Sequence, residues 1–283
     1  MDKLTRDAAT ARVREFYDGP ADTIYKTTWG ENLHLGLPRA AGDSQQRAMI
    51  HTTERMAAAV RLDASTSVLD LGSGYGGPAR QLAEHSGCRV VGVNLSRVEI
   101  AEAERQTQTS KARDRISYVH GDFHELPFDA EAFDIVWSQD SLMYGADKPR
   151  ILREAYRVLK PGGVFDFTDI LANHGLSADQ RERLYARVRT PEMWDVNRYA
   201  QELIAAGFTL HRIEDWSEHV AASYAAARAQ TIANQNELTE QVGDELVKRT
   251  LDGLAFWVDM AQRGNVGWAL FVAKKPSGKH QGE

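Results

Sequence analysis

The rhythm of apolar and polar positions changes near Ser67. Before it, residues 1–62 carry helical spacing punctuated by aromatics and glycines: Phe16, Tyr17, Tyr25, Trp29, Gly30 and Gly36. After it, short apolar runs alternate with amphipathic stretches. Residues 68–71 predict a strand, and a glycine loop leads from it into a helix over 78–85. A second strand is predicted at 89–93, followed by a charged helix from 97 to 111. Two more strands fall at 116–120 and 133–137. A helix over 149–159 is broken by Lys160-Pro161-Gly162-Gly163 before a strand at 164–168. Strands alternating with helices need right-handed crossovers, so the pattern predicts an α/β fold on a largely parallel sheet.

The C-terminal third is less regular. Residues 195–206 predict a helix stopped by Gly207, 208–216 a strand, and 267–273 a closing strand. Between the last two strands, 217–263 runs without proline at helical spacing, where a bare sheet would need only a short turn. The expected organisation is a helical lid at 1–62, a ligand-binding core at 63–216 and inserted cap helices at 217–264. A closing strand of the core at 265–275 and a flexible tail at 276–283 complete it.

Composition narrows the function mainly by exclusion. A formal charge of −6 on 283 residues, with no basic run beyond Lys274, Lys275 and Lys279, argues against a nucleic-acid partner. No uncharged apolar run approaches the ~20 residues that span a bilayer, and no apolar stretch follows the N-terminal charges. No membrane contact is expected, and the expected compartment is the cytoplasm. The single Cys88 cannot form an internal disulfide and sits in a strand-like apolar run, which suits a small core residue.

Chemistry enters with Gly72-Ser73-Gly74-Tyr75-Gly76-Gly77, which lies between a strand and a helix. It fits both G-x-G-x-x-G and G-x-G-x-G; in either, glycines let a ligand approach the backbone and the helix N-terminus offers N–H groups to an anion. A dinucleotide enzyme would place Asp or Glu at the end of the second strand, where this chain has Asn94. Asp70, inside an apolar strand, needs a partner for its carboxylate. That partner is either a ligand's ammonium group or the N–H groups of the glycine loop.

Five segments then resemble, in order, the class I S-adenosylmethionine methyltransferases: Val68 through Gly76, Gly92-Val93-Asn94-Leu95-Ser96, Gly121 through Phe128, Phe133 through Gln139, and Arg157 through Gly163. The resemblance implies a Rossmann-like sheet with its last strand antiparallel, a helical cap and S-adenosyl-L-methionine as cofactor. It implies cofactor contacts from Asp70, Gly72, Ser73, Gly74, Tyr75, Gly76, Asn94, Leu95, Asp122, Phe123, Ser138 and Gln139. Asp122 would accept from the adenine amino group and Phe123 pack on the purine; Asn94 and Leu95 would hold the ribose and flank the ring. Ser138 and Gln139 would lie beneath the sulfonium.

Over nearly the whole chain the sequence is similar to sarcosine/dimethylglycine N-methyltransferases. Phe16-Tyr17-Asp18 through Gly36, Trp137-Ser138-Gln139-Asp140, Phe167-Thr168-Asp169, Glu218-His219 and Gly253 through Trp268 carry that likeness. Two departures stand on the acceptor side: Tyr144 where the family has His, and Ile170-Leu171 where it has Pro-Met. The expected reaction is N-methylation of a small amine. A natural-product O- or C-methyltransferase and a non-methylating S-adenosylmethionine-binding protein are the alternatives. The expected catalytic residues are Tyr144, His34 and Tyr25, and Arg187 or Arg189 would suit an acceptor carboxylate. His120 and His124 flank Asp122 without a third ligand at metal spacing, so no metal is expected. The sequence leaves a homo-oligomer open.

Overall fold

Seven strands, all but one running the same way, build the sheet of the computed structural model, which describes residues 2–40 and 42–278. The strands are β1 (Ser67–Leu71), β2 (Arg89–Asn94), β3 (Ile116–His120), β4 (Phe133–Gln139), β5 (Leu159–Ala172), β6 (Thr209–Asp215) and β7 (Val266–Lys274), in the order β3-β2-β1-β4-β5-β7-β6. Only β7 is reversed, pairing antiparallel with both β5 and β6. The near-continuous apolar runs of β1 and β4 reflect burial on both faces, as crossover helices demand.

Helices α4 (Gly77–Ser86), α5 (Arg97–Thr107) and α6 (Lys148–Val158) make the crossovers. Ser96 and Asp147 cap α5 and α6 through backbone N–H groups, whereas no side chain caps α4, whose start carries Gly76 in a left-handed conformation and Pro78 in its first turn. Ahead of the sheet lie α1 (Lys3–Tyr17), α2 (Ala21–Trp29) and α3 (Gln45–Ala57); α7 (Ala178–Val188) and α8 (Val196–Ala205) join β5 to β6. Between β6 and β7 stand α9 (Val220–Ala233), α10 (Gln235–Val242) and α11 (Asp244–Gln262). Two large apolar clusters cover the two faces of the sheet.

Three expectations shift. The helix after β2 ends at Thr107, not Lys111. The Lys160-Pro161-Gly162-Gly163 break lies inside β5, as a bulge between the Phe133↔Leu159 and Ile135↔Val164 pairs. Helix α7, closed at its start by a Ser177/Gln180 capping box, was not anticipated, because its strongly charged sequence hides its apolar face. Of the expected flexible tail, 279–283 lies outside the described residues.

Candidate active site

Strand β1 has β2 on one side and β4 on the other, so the winding of the sheet reverses between β1 and β4. Ligands of open α/β sheets bind beyond the carboxyl ends of the strands at such a point. A cleft opens there, lined by Gly72, Gly74, Asn94, Leu95, Asp122 and Phe123 on the sheet side. Thr10, Val13, Arg14 and Tyr17 of α1 form its outer wall with Leu33, and Ser141 and Tyr144 follow from the end of β4.

The deep end, beside the glycine loop, gathers Asp70, Ser73, His34 and Gln139. Asp70 is buried, its Oδ2 has no partner among the described residues, and burial pushes its carboxyl up to about 7. Ser73 Oγ, Gln139 Nε2 and His34 Nε2 are likewise buried without partners. His34 Nδ1 lies 2.9 Å from the Leu35 carbonyl, so it carries the proton and Nε2 is left as an acceptor. Burial pushes the imidazole down to about 4, which makes it neutral and a poor base. Buried polar atoms left unpaired are costly, so four in one recess call for a ligand rich in donors and acceptors.

The outer end is organised around two carboxyl groups. Asn94 Nδ2 donates to Glu99 Oε2 at 2.8 Å, while Asn94 Oδ1 accepts from the Ser96 N–H at 3.1 Å. Glu99 Oε1 remains buried and unpaired, and burial pushes its carboxyl up to about 8. Asp122 is held by His124: the backbone N–H donates to Oδ1 at 2.9 Å, and Nδ1 approaches the same oxygen at 2.5 Å. His124 Nε2 accepts from the Asp147 N–H at 3.1 Å, which places the imidazole proton on Nδ1. Burial pushes the Asp122 carboxyl up, but the His124 hydrogen bonds outweigh it and hold the group below the usual range.

Asp140 joins the site to the N-terminal segment. With φ of 53°, it turns its carboxylate to accept from Leu35 N–H, Thr168 Oγ1 and Trp268 Nε1, each at 2.8 Å. Burial pushes it up to about 6, against the pull of those three donors. Tyr17 donates to the Tyr144 hydroxyl at 2.5 Å, and the two rings meet edge to face at 5.5 Å.

Some expected contacts are not brought into the cleft. Ser138 is fully buried and donates to the Leu71 carbonyl at 2.9 Å, tying β4 to β1. Gly76 faces Tyr118: a Cβ there would stand 2.0 Å from its hydroxyl, so this glycine serves packing. Tyr25 stands behind Tyr17, ring centroids 5.8 Å apart, and lines a neighbouring groove. Ile170 and Leu171 are buried in the two separate apolar clusters. Arg189 is exposed, whereas Arg187 is half-buried. Sequence reasoning missed Glu99 and Ser141. Ser96-Arg97-Val98-Glu99 has the capping-box pattern, a local role for the glutamate that gives no sign of a ligand. Among the described residues no three His, Cys, Asp or Glu side chains gather as a metal site.

A protein-family model for a methyltransferase domain matches residues 69–167, the segment from within β1 to within β5. Sarcosine/dimethylglycine N-methyltransferase of Halorhodospira halochloris is 35% identical over 95% of this chain and 98% of its own. The chain belongs to the sarcosine/dimethylglycine N-methyltransferase family. It is an S-adenosylmethionine-dependent methyltransferase. The glycine/sarcosine/dimethylglycine N-methyltransferase of Actinopolyspora halophila is 33% identical over 94% of this chain, which spans about half of that longer relative, 47%. A Galdieria sulphuraria structure assigned as a sarcosine dimethylglycine methyltransferase superposes with a TM-score of 0.85 at 26% identity, over 93% of this chain and 99% of that one. The recess suits this methyltransferase's cofactor chemically: unpaired acceptors for an ammonium group lie at one end and carboxyl groups for a ribose and an adenine amine at the other. No helix among the described residues is long and apolar enough to cross a membrane.

Proposed function

We propose that this methyltransferase methylates the nitrogen of a small N-methylated amino acid, sarcosine or dimethylglycine. The observation that carries this reading is the tyrosine cluster where α1 and α2 meet the end of β4: Tyr17 and Tyr144 line the cleft, and Tyr25 packs behind Tyr17. The bound cofactor supplies an electrophilic methyl group on a sulfonium. The acceptor nitrogen would have to arrive with its proton already lost to water, and its new N–C bond would form as the S–C bond breaks. The tertiary amine of dimethylglycine then has no further proton to lose, whereas sarcosine sheds one to water after transfer, so residues need only position the nitrogen. Ring faces favour the cationic product, quaternary when dimethylglycine is the acceptor, by ~0.5–2 kcal/mol each. Burial pushes the Tyr144 hydroxyl well above its ordinary range, so it stays protonated and orients the acceptor. The relatives named above support the same acceptor class. Incubation with methyl-labelled S-adenosylmethionine and a panel of sarcosine, dimethylglycine, simple amines and phenols tests the proposal. Label should enter the two amino acids; label in phenols alone would sink it.

On this reading Asp70, Ser73, Gln139 and His34 hold the amino-acid end of the cofactor, Asn94 and Glu99 the ribose, and Asp122 and Phe123 the adenine. Asp122→Ala should weaken S-adenosylhomocysteine by ~10- to 100-fold in calorimetry, the value of a hydrogen bond to a charged group. Unchanged affinity would remove Asp122 from the site. Asp70 makes the binding pH-dependent. Its apo carboxyl titrates near 7, against ~3.9 when unfolded, so the free folded enzyme takes up a proton between those values. From this group, free-enzyme stability grows as pH falls through 7 and is lost above it. A ligand ammonium favours the ionised form, so affinity should rise from pH 6 to 8 and binding should release a proton. Calorimetry in buffers of different ionisation enthalpy reads that proton directly; none released would exclude an Asp70–ammonium contact.

The 1–62 segment acts as a lid in the same proposal. The cleft encloses about 80 Å³, while sites for drug-sized ligands run to ~300–1,000 Å³. Helix α1, which forms its outer wall, therefore has to yield as the cofactor enters. Residues 17–36 should gain hydrogen-exchange protection when S-adenosylhomocysteine and acceptor are both present. Equal exchange in both states would refute the lid.

A further inference from the structure

A second opening lies between α2, α7 and α11, a groove of about 610 Å³ whose inner wall is shared with the tyrosine cluster through Tyr25. Four arginines line it, Arg183, Arg187, Arg189 and Arg249, against Glu245 and Asp252. Among the described residues none of the four makes an ion pair. An unpaired cationic groove on a chain of net charge −6 is a local inversion of the protein's field, and it draws in anionic groups.

Arg187 is the member that reaches inward. Its guanidinium lies 5.3 Å from the Tyr224 ring centre and 5.5 Å from that of Trp257, both buried. Its Nε is buried and has no partner, so the planar fork sits on aromatic faces with donors unspent. The stem passes over Gly253 in α11, where a Cβ would come within 3.1 Å of Arg187 Cδ. Glycine inside a helix costs ~1 kcal/mol relative to alanine, and here it leaves room for the arginine. Burial raises the Tyr144 and Tyr224 hydroxyls, and Arg187 is the cation that opposes that rise at both. Arg187 and Tyr25 thus share the groove, and Tyr25 packs on Tyr17, which lines the cofactor cleft with Tyr144.

We infer that the groove is the acceptor's way in and that Arg187 is the specificity-determining residue that receives the acceptor's carboxylate. This rests on the amino-acid reading proposed above and deepens it. An N-methylated amino acid carries its nitrogen, cationic once methylated, and its carboxylate a few bonds apart, matching a tyrosine cluster flanked by one unpaired guanidinium. Simple amines, which lack the carboxylate, leave Arg187 unused.

The test compares wild type, Arg187→Met and Arg187→Lys with dimethylglycine and with N,N-dimethylethanolamine, which replaces the carboxylate by a hydroxymethyl group. Dimethylglycine is also titrated into each protein saturated with S-adenosylhomocysteine. Arg187→Met should raise KM and Kd for dimethylglycine by about 10- to 100-fold, as loss of a charge-assisted hydrogen bond requires, with kcat changed far less. Lysine should recover part of that loss, and neither variant should alter kcat/KM for dimethylethanolamine. A methionine variant that binds and methylates dimethylglycine like wild type would overturn the role of Arg187 and leave the amino-acid reading standing. An equal loss for both acceptors would also overturn it, since that marks a structural role. A wild type that methylates only acceptors without a carboxylate would overturn both proposals.

Discussion

Gly72→Ala is expected to weaken S-adenosylhomocysteine binding on the order of 100-fold while the protein still folds. Gly72 sits at the end of β1 with φ of 79°, in the left-handed region where a side chain costs ~1–2 kcal/mol. A Cβ there would stand 2.4 Å from Ser141 Oγ and 3.2 Å from Phe123 Cζ, and both residues line the cleft. Relief of that clash has to push the β4 end and the Phe123 ring away from the glycine loop. Strain and displacement together amount to ~2–3 kcal/mol, which corresponds to that loss of affinity. Gly74→Ala should be milder, because its Cβ would meet only the flexible Leu33 side chain, at 3.2 Å. Isothermal titration of both variants decides the matter. An alanine at 72 that binds within twofold of wild type would mean that the loop does not approach the ligand.

Tyr144→Ala should lower kcat/KM for the best acceptor by ~100-fold, since a misplacement of about 1 Å costs that much. The ring fills the space where α1 meets the end of β4, and its hydroxyl accepts from Tyr17. That leaves the Tyr144 proton free to point at an acceptor. Tyr144→Phe keeps the ring but strands the Tyr17 hydroxyl, so its loss should stay within ~10-fold. A tyrosine acting as a base would give a different pattern, with phenylalanine as damaging as alanine and activity climbing toward high pH. Equal kcat/KM for wild type and alanine variant would leave Tyr144 without a role in the reaction.

The order of the strands and of the crossover helices, the position of the glycine loop and the buried carboxylate of Asp70 were legible in the chain, while α7 was not. Each depends on neighbours within a few residues: apolar alternation, capping side chains and glycines at turns. Strand alternation even held a warning about Ser138 and Gln139, since adjacent residues of β4 point to opposite faces. Trp137 Nε1 donates to Gln139 Oε1 on one side, while Ser138 turns to the Leu71 carbonyl on the other.

Only the tertiary structure decided which side chains are left without partners. Glu99 reads locally as a helix-cap residue, yet it lies in the cleft because Asn94 captures one of its oxygens and leaves the other buried. Asp140 gains its role from Leu35, Thr168 and Trp268, which are brought together from three separate parts of the chain. Arg187 looks like a surface charge on a charged helix until α9 and α11 place Tyr224 and Trp257 beside it. Periodicity reports which face of an element is buried. Whether a buried polar atom is satisfied depends on long-range contacts, and in this protein those unsatisfied atoms mark the site.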